Sequence, residues 1–339
     1  MSVIAFVTGG TGFLGRRLLR TLLARNVHVR CLVRSQSGID VALKELSPEQ
    51  QQRLQFVRGD LADPDALESH LQGVDVVYHL AAALNGSCST MFLNTVVPSR
   101  GLMQAAAKAE VGRFVQVSSL GVYGTASLRR WGTLDETTPI DPQSEHRDPY
   151  TFSKVRQEAI AWELREQLGL PLVVVRPGVI YGPGRSLLTS RVGLSLGPLL
   201  IRMGGGQLLP YTYVENCAEA ICLAGLTPGI EGEIINVVDD DLPTGRRILR
   251  TLRKNGKTVH SLWVPRPAIS PLSALYAWYS RWSEGQLPPV LSWHKSEAMW
   301  KPLRYSNRKA KHSLNWRPAI STEEGLNRTI AGLPGNFAS

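Results

Sequence analysis

Tyr150 and Lys154 lie four residues apart in the stretch Tyr-Thr-Phe-Ser-Lys, and together they could move a proton. On a helix, residues at i and i+4 share one face, so the phenol and the ammonium can reach the same small volume. A free tyrosine ionises near pH 10, too high for a base in neutral water. A cation roughly 4 Å away favours the phenolate by up to about 4 kcal/mol, or about three pKa units, at an effective dielectric of about 20. The pair therefore predicts a tyrosine acid/base whose pKa a lysine lowers.

The Tyr-Lys spacing alone is weak evidence, because most such pairs lie on a solvated helix face. A glycine-rich turn upstream makes it specific: Gly9, Gly12 and Gly15 follow an apolar strand pattern and open an amphipathic helix. Glycines let the turn tighten and let the backbone approach a pyrophosphate, and the helix N-terminus offers free N–H groups. The sequence therefore predicts a dinucleotide site.

The end of the second predicted strand favours NADP(H), with NAD(H) as the alternative. It reads Cys31-Leu-Val-Arg34-Ser35, with no acidic residue to grip a ribose 2′-hydroxyl. Arg34 could accommodate a 2′-phosphate, or it could be an exposed arginine without a ligand. Asp60 closes the third strand, where it could meet the adenine, and Asp63 suits the role of helix N-cap better than Asp60 does.

Composition excludes several classes of protein. The chain has 339 residues and a net charge of +10, but it has no basic run with interleaved aromatics, so we expect no nucleic-acid partner. Its four cysteines show no metal-ligand spacing, which predicts no metal site and a reducing, cytoplasmic location. The N-terminus does not resemble a signal peptide, and no apolar run is long enough to cross a bilayer.

Short apolar runs alternate with helical patterns, which predicts an α/β fold with a doubly wound parallel sheet of the Rossmann type. The predicted strands are residues 3–7, 27–33, 54–57, 74–80, 113–117, 172–175 and 232–238, and the predicted helices are residues 14–25, 65–71, 90–110 and 149–168. We expect residues 1–180 to form the dinucleotide-binding domain, with late sheet elements from about 210–240. Residues 181–330 should form an interleaved, smaller substrate-binding lobe.

These motifs resemble the extended short-chain dehydrogenase/reductases, also called the NAD-dependent epimerase/dehydratase superfamily. The resemblance covers residue 3 to about residue 330 and is carried, in family order, by residues 8–15, 59–61, 75–82, 118–124, 150–154 and 176–183.

The resemblance implies roles by position. Ser119 would hydrogen-bond the reacting oxygen, with the adjacent Ser118 as the alternative. Tyr150 would be the acid/base, and Lys154 would bind the nicotinamide ribose and lower the Tyr150 pKa. Asn94 matches a position that steadies the active-site wall. The residues implied to contact the cofactor are Gly9, Gly12, Phe13, Leu14, Gly15, Arg34, Asp60, Leu61, Leu80, Ala81, Ala82, Tyr150, Lys154, Pro177 and Val179.

Within the family, the chain is most similar to the 3β-hydroxysteroid dehydrogenase and sterol-4α-carboxylate 3-dehydrogenase group. Residues 211–216 and the tail, including residues 287–291, carry this similarity, and Gly178 replaces an asparagine that many nucleotide-sugar epimerases have. The resemblance implies an NAD(P)-dependent oxidoreductase that interconverts a secondary alcohol and a ketone, on a sterol-like or polyprenoid substrate. The alternatives are a nucleotide-sugar epimerase with a resident NAD and a cofactor-binding redox sensor without catalysis. Family analogy also implies a homodimer.

An apolar stripe at helical spacing bears on whether the protein contacts a lipid-like substrate or a membrane. It consists of Leu272, Leu275, Tyr276, Tyr279 and Trp282, flanked by Trp278 and Arg281. The preferred interpretation is that it packs on the protein's own core. The alternative is that it covers a lipid-like substrate or makes a peripheral contact with an anionic membrane.

Overall fold

A computed structural model describes residues 2–36, 38–204, 206–282 and 292–333. The strands are β1 (Ile4–Thr8), β2 (His28–Val33), β3 (Leu54–Arg58), β4 (Val76–His79), β5 (Arg113–Val117), β6 (Thr133–Leu134), β7 (Leu172–Pro177), β8 (Val179–Tyr181), β9 (Gly193–Leu196), β10 (Leu199–Met203), β11 (Tyr211–Tyr213), β12 (Ile234–Val237), β13 (His260–Val264) and β14 (Arg304–Tyr305). The helices are α1 (Phe13–Ala24), α2 (Ile39–Lys44), α3 (Pro48–Gln51), α4 (Pro64–Leu71), α5 (Cys88–Met91), α6 (Val97–Lys108), α7 (Pro149–Leu168), α8 (Val214–Leu226), α9 (Gly245–Lys254), α10 (Arg266–Trp282), α11 (Trp293–Trp300), α12 (Arg308–Ser313) and α13 (Thr322–Ala331). The family-like stretch 287–291 lies outside the described residues.

The central sheet has seven strands in the order β12-β7-β5-β4-β1-β2-β3, and all its pairings are parallel. The apolar strands β5 and β7 are buried along their whole length, as expected for a sheet covered on both faces. The predicted α/β fold class with a Rossmann-type sheet is confirmed, and the late predicted strand is β12. The winding reverses between β1 and β4, so a ligand crevice forms at their carboxyl ends.

A smaller outer sheet, β13-β10-β9, lies apart from the central one. On one face Leu200 packs with Ile248 of α9. On the other face Met203 packs with Ile269 of α10 and Trp300 of α11. The outer sheet is thus sandwiched between α9 and the α10–α11 pair, and β13 is one of its two edge strands.

The helix predicted over residues 90–110 is interrupted by a π-helical turn. α5 passes through Phe92–Val96 in π geometry before α6 begins. Pro98, in the first turn of α6, has no N–H, so the regular hydrogen-bond ladder cannot run through it. Asn94 lies in this turn and donates to the Thr90 carbonyl at 2.8 Å, so its amide supports the helix itself.

The preferred interpretation of the apolar stripe is wrong, because α10 turns most of it outward. Leu272, Leu275, Trp278, Tyr279 and Trp282 are between 43% and 68% exposed, and Tyr276 is half-buried. The face that packs inward carries Ile269, Ser273 and Ser280. Ser273 lies 2.8 Å from Ser296 of α11 through their hydroxyl oxygens, because these small side chains let the two helices approach closely. Within the described ranges, no helix combines the length and apolar character needed to cross a bilayer.

Candidate active site

The predicted site residues gather at the carboxyl edge of the central sheet. Gly9 follows β1, Leu80 follows β4, Ser118 and Ser119 follow β5, and Pro177 ends β7. α7 carries the predicted acid/base pair in its first two turns. Because parallel strands end at one edge, residues from four separate motifs line a single crevice.

The glycine turn is closed too tightly for any side chain. Gly9 has φ +72°, and a Cβ there would lie 2.9 Å from the Ala81 nitrogen. A Cβ on Gly15 would lie only 2.1 Å from the Gly9 carbonyl oxygen. α1 begins at Phe13 with no acidic residue in its first turn, so its N-terminal N–H groups remain available to an anion. This backbone cradle fits the pyrophosphate of a dinucleotide.

Replacing Gly15 by alanine should therefore weaken cofactor binding by at least about tenfold, because the turn must open to admit the methyl group. Titration of nicotinamide fluorescence measures the affinity. Gly206→Ala is a matched control, since nothing lies within 4 Å of a Cβ at that position. Equal affinities in the two variants would show that the turn does not bind the cofactor.

Arg34, predicted to select the cofactor, and Asp60, predicted to meet the adenine, both lie at the carboxyl ends of neighbouring strands. Arg34 is exposed directly after β2, and no described acidic residue forms an ion pair with it. Asp63 caps α4 by accepting from the Ala66 nitrogen at 3.2 Å, as expected. Asp60 is exposed, and one carboxylate oxygen accepts from the Ala62 nitrogen at 3.0 Å.

The structure distinguishes the two adjacent serines. Ser119 accepts from the Gly121 nitrogen at 3.1 Å, and its hydroxyl lies close enough to Tyr150 to lower the pKa of the phenol. Ser118 is buried and donates to Glu158 Oε2 at 2.7 Å. Ser119 is therefore the serine that can share an oxygen ligand with Tyr150.

The pKa of Tyr150 lies above its ordinary value. Burial and next the charge of Asp148 raise it, whereas the Ser119 hydroxyl and the charge of Arg185 lower it by less, so the pKa is about 12. Lys154 Nζ is 6.0 Å from the centroid of the Tyr150 ring. The prediction that Lys154 brings the phenol toward neutral pH is wrong for this structure, because burial raises the pKa of Tyr150 more than its neighbours lower it.

Lys154 is held by other partners. Its Nζ donates to the Val117 carbonyl at 2.8 Å and to Gln157 Oε1 at 2.9 Å. Burial lowers the pKa of Lys154 to about 8, and the charge of Glu158 opposes that shift. The ammonium therefore lies fixed beside the end of β5.

A buried chain of hydrogen bonds continues from Gln157 to the glycine turn. Gln157 Nε2 donates to Ser99 Oγ at 2.6 Å, and Ser99 Oγ lies 2.7 Å from His79 Nε2. His79 Nδ1 lies 2.7 Å from Thr8 Oγ1, one residue before Gly9. Burial, and next the charge of Lys154, lower the pKa of His79 to about 3, so the ring is neutral. This series of hydrogen bonds connects the Lys154 side of the site to the glycine turn through buried side chains.

One tautomer of His79 satisfies this chain. The Ser99 hydroxyl donates to the Thr95 carbonyl, so Ser99 Oγ must accept from His79 Nε2–H. Nδ1 is then free to accept from the Thr8 hydroxyl, whose oxygen accepts from the Ala81 nitrogen at 3.3 Å. We assign this tautomer from the hydrogen-bond partners.

Comparison with known proteins identifies the family. The model of the NAD dependent epimerase/dehydratase family matches residues 5–237. The chain belongs to this family. It is an enzyme of the extended short-chain dehydrogenase/reductase type, and the resemblance found in the sequence is confirmed.

Its relatives include enzymes named for different reactions. Sterol demethylase protein B of Methylococcus capsulatus is 33% identical over 78% of this chain and 77% of its own length. 3beta-hydroxysteroid-dehydrogenase/decarboxylase isoform 1 of Arabidopsis thaliana is 26% identical over 96% of this chain and 78% of its own length. The crystal structure of DesIV, a dTDP-glucose 4,6-dehydratase from Streptomyces venezuelae with NAD and TYD bound, superposes with a TM-score of 0.72 at 25% identity, covering 97% of this chain and 96% of that one.

Position 178 departs from the asparagine seen in many epimerases of the family, and the structure shows why glycine is required. A Cβ on Gly178 would lie 2.0 Å from the Pro210 carbonyl oxygen. Gly178 also donates its N–H to the Val237 carbonyl at 2.9 Å. An asparagine would need the chain around Pro210 to move away.

Residues 211–216, which resemble the sterol dehydrogenase group, have a structural role. Tyr211 and Tyr213 are fully buried, and their rings pack against Tyr181. Asn216 Nδ2 donates to Asp239 Oδ1 at 3.0 Å and to the Ile320 carbonyl at 2.8 Å. This stretch therefore ties α8 to the chain segments beside it.

Beneath the site lies an ion pair that the sequence analysis missed. Arg176 Nε donates to Glu158 Oε2 at 3.1 Å, a second Arg176 nitrogen contacts Glu158 Oε1, and both side chains are buried. The Arg176 guanidinium also lies over the Tyr123 ring at 4.5 Å. The pair joins α7 to β7 directly behind Ser118.

Sequence spacing could have found two of the missed residues. Gln157 and Glu158 follow Lys154 at i+3 and i+4, so they share a helix face with it. His79 lies inside the family motif 75–82, but no spacing or pattern in the sequence pairs it with Ser99 across the fold.

Proposed function

We propose that this enzyme interconverts a secondary alcohol and a ketone, with Ser119 and Tyr150 binding the reacting oxygen. The observation that carries the proposal is that the Ser119 hydroxyl, after β5, lies close enough to the Tyr150 phenol, at the start of α7, to lower its pKa. Two neighbouring hydroxyl groups can both address one substrate oxygen. Residues 1–180 together with β12 would hold the cofactor, and residues 181–330 would shape the substrate side.

In this mechanism the nicotinamide, when bound, supplies or accepts the hydride at the carbinol carbon. Ser119 orients the substrate oxygen, and Tyr150 passes a proton to it or takes one from it. Because the pKa of Tyr150 is raised to about 12, the phenol is protonated at neutral pH and is ready to donate. That state suits reduction of a ketone. Lys154 would hold the ribose hydroxyls, and Pro177 and Val179 would line the nicotinamide side.

A bulky apolar substrate of sterol type is favoured over a nucleotide sugar. Three of its relatives carry sterol or hydroxysteroid names. The segment after Ser119 is apolar, since Leu120 and Tyr123 pack with Leu303. The crowding at Gly178 leaves no room for the asparagine of many epimerases. Epimerisation with a resident NAD is the second candidate, and it would leave no net change in the cofactor.

Mass spectrometry of whatever co-purifies with the protein tests this choice. A nicotinamide dinucleotide that exchanges freely, without a sugar nucleotide, supports a dehydrogenase. A firmly held NAD together with a UDP-sugar would instead support the epimerase. A chain that binds cofactor but reduces no member of a ketone panel would be the non-catalytic redox sensor.

We further propose that the cofactor is NADP(H), because Arg34 stands exposed at the end of β2 where an acidic residue would select NAD(H). Arg34→Asp should shift the ratio of NADPH to NADH affinity toward NADH by about ten- to hundredfold, the value of a lost charge-assisted contact. Fluorescence titration with both cofactors measures the ratio.

Arg58→Asp is the matched comparison, because Arg58 ends the neighbouring strand β3 opposite Val33. It should change the ratio less than Arg34→Asp does. A shift in Arg58→Asp alone would mean that the sequence analysis chose the wrong arginine.

The active enzyme would be a cytoplasmic homodimer, a proposal that rests on family analogy and on the absence of disulfides among its four cysteines.

A further inference from the structure

Helix α10 exposes large apolar side chains and buries small polar ones. An ordinary surface helix buries its large apolar side chains and exposes its polar ones. α10 instead buries Ser273 and Ser280 and exposes Leu275, Trp278 and Trp282. The exposed residues fall on one arc of the helix, and the Tyr279 and Trp282 rings stack on each other with centroids 5.7 Å apart.

The apolar surface continues onto the open edge of the outer sheet. Leu262 and Trp263 of β13 are 57% and 49% exposed. They point to opposite faces of the strand, since successive residues of a strand alternate. The edge of the outer sheet is therefore apolar on both of its sides, beside the helix that follows it.

Helix α9, which precedes β13, adds a row of cations. Arg246, Arg250, Arg253 and Lys254 are exposed and recur at the spacing of one helix face. Among the described residues, none of the four has an ion-pair partner, whereas Arg247 beside them pairs with Asp241.

A fifth cation extends this row onto the outer sheet. Arg202 is paired with Trp263 in the β10–β13 register, so the two side chains share one face of the sheet. The Nε atom of Arg202 is buried without a hydrogen-bond partner, and the positive charge of Arg246 acts on the same guanidinium. Two cations thus lie near each other beside an exposed indole.

The charged residues of this region all have the same sign. Residues 242–282 contain eight Lys and Arg residues and no Asp or Glu, so they carry +8 of the chain's net +10. We call the exposed residues the docking face, which consists of Arg246, Arg250, Arg253, Lys254, Leu262, Trp263, Leu272, Leu275, Trp278, Tyr279 and Trp282.

We propose that the docking face binds the surface of an anionic lipid bilayer. Tryptophan and tyrosine side chains favour the headgroup boundary, where the ring can be apolar on one side and wet on the other. Arginine and lysine attract anionic headgroups from solution. The aromatic residues of α10 and β13 would enter the boundary, and the cations of α9 would contact the phosphates. This proposal does not depend on which reaction the active site performs.

A second copy of the chain fits the docking face less well. A two-fold contact would bring the same patch of both copies together, cations included. The cations of α9 would then repel each other, because residues 242–282 contain no Asp or Glu to offset them. A lipid surface supplies the missing negative charge.

Co-sedimentation with vesicles tests the proposal on the full chain. The protein should pellet with vesicles of phosphatidylcholine mixed with phosphatidylglycerol and stay in the supernatant with phosphatidylcholine alone. Raising the salt concentration should weaken binding, because the charges of α9 are exposed to screening.

Two variants distinguish the contribution of the apolar residues to vesicle binding from the contribution of the cations. Leu275→Glu should lower vesicle binding by about tenfold or more, while the same change at Leu168, exposed at the end of α7, should leave binding unchanged. Arg250→Glu/Arg253→Glu should lower binding by at least about fivefold per residue. Thermal melting and cofactor affinity should match the wild type in all three proteins, which excludes misfolding as the cause.

Two outcomes would overturn the proposal. One is equal binding of the wild type and Leu275→Glu to the anionic vesicles. The other is failure of the wild type to bind them, with sedimentation velocity showing an oligomer that Leu275→Glu dissociates; in that case a second copy covers the docking face.

Discussion

Replacing Tyr150 by phenylalanine should lower turnover by about a hundredfold or more, the size of a lost general acid. The reason is specific to the hydroxyl. Tyr150 lies beside Ser119 at the edge of the sheet, and its raised pKa of about 12 keeps the proton on the phenol at neutral pH. Phenylalanine keeps the ring and its packing but cannot donate. Steady-state turnover of a reducible ketone measures the effect.

Cofactor affinity should change little in Tyr150→Phe, because the glycine turn and Lys154 are untouched. Tyr78→Phe provides the control for simple loss of a buried hydroxyl, since Tyr78 donates to the Cys222 carbonyl at 2.9 Å within the core. It should cost about 1 kcal/mol of stability and leave turnover unchanged. Unchanged turnover in Tyr150→Phe would remove the phenol from the mechanism.

Replacing Glu158 by leucine should destabilise the fold by about 3–5 kcal/mol, because it leaves the buried guanidinium of Arg176 without its counter-charge. It also removes the acceptor of the Ser118 hydroxyl. Denaturant unfolding measures the free energy change. Since the charge of Glu158 supports the protonated state of Lys154, the variant should also lower the pKa of Lys154 further below about 8.

The double variant Glu158→Leu/Arg176→Met distinguishes charge from packing. Removing both partners abolishes the buried charge, so the double variant should be more stable than Glu158→Leu alone. If the loss of stability in the double variant equals the sum of the losses in Glu158→Leu and Arg176→Met, the stability comes from packing rather than from the ion pair. A loss below about 1 kcal/mol in Glu158→Leu would mean that Arg176 finds water or another partner.

The sheet was predictable because its evidence is local. The strands of the central sheet are short apolar runs that alternate with helices, and parallel strands buried on both faces have this composition. The glycine turn was predictable for the same reason, since Gly9 and Gly15 lie close to each other in sequence. What the sequence could not give was the tight approach of Ala81 to Gly9, which depends on β4 lying beside β1.

The orientation of α10 was not predictable from periodicity. The helix has one arc of large apolar residues and another that contains Ile269, Ser273 and Ser280. Spacing shows that the two arcs exist, but the hydrophobic effect alone would bury the first. The structure buries the second, because small side chains fit the close contact with Ser296 of α11.

The prediction that Lys154 lowers the pKa of Tyr150 toward neutral pH was wrong for a physical reason. Helical spacing gives a shared face but no distance, and the predicted attraction holds for a cation about 4 Å from the phenol oxygen. The Lys154 ammonium donates to the Val117 carbonyl and to Gln157. Burial raises the pKa of the phenol, which sequence spacing cannot reveal. Gln157 and the Ser119–Tyr150 contact depend on the fold bringing separate segments together.

Transfer of an isotope label shows whether the enzyme moves a hydride from the cofactor to a ketone. NADPH carrying deuterium at C4 of the nicotinamide, in the stereoisomer that reacts, is mixed with the enzyme and a 3-keto steroid. We expect one deuterium on the carbinol carbon of the product and oxidised cofactor in equal amount, both formed much more slowly in Tyr150→Phe. Return of unoxidised cofactor with no labelled alcohol from any ketone of a sterol-like panel, by a protein shown to bind NADPH, would contradict this expectation.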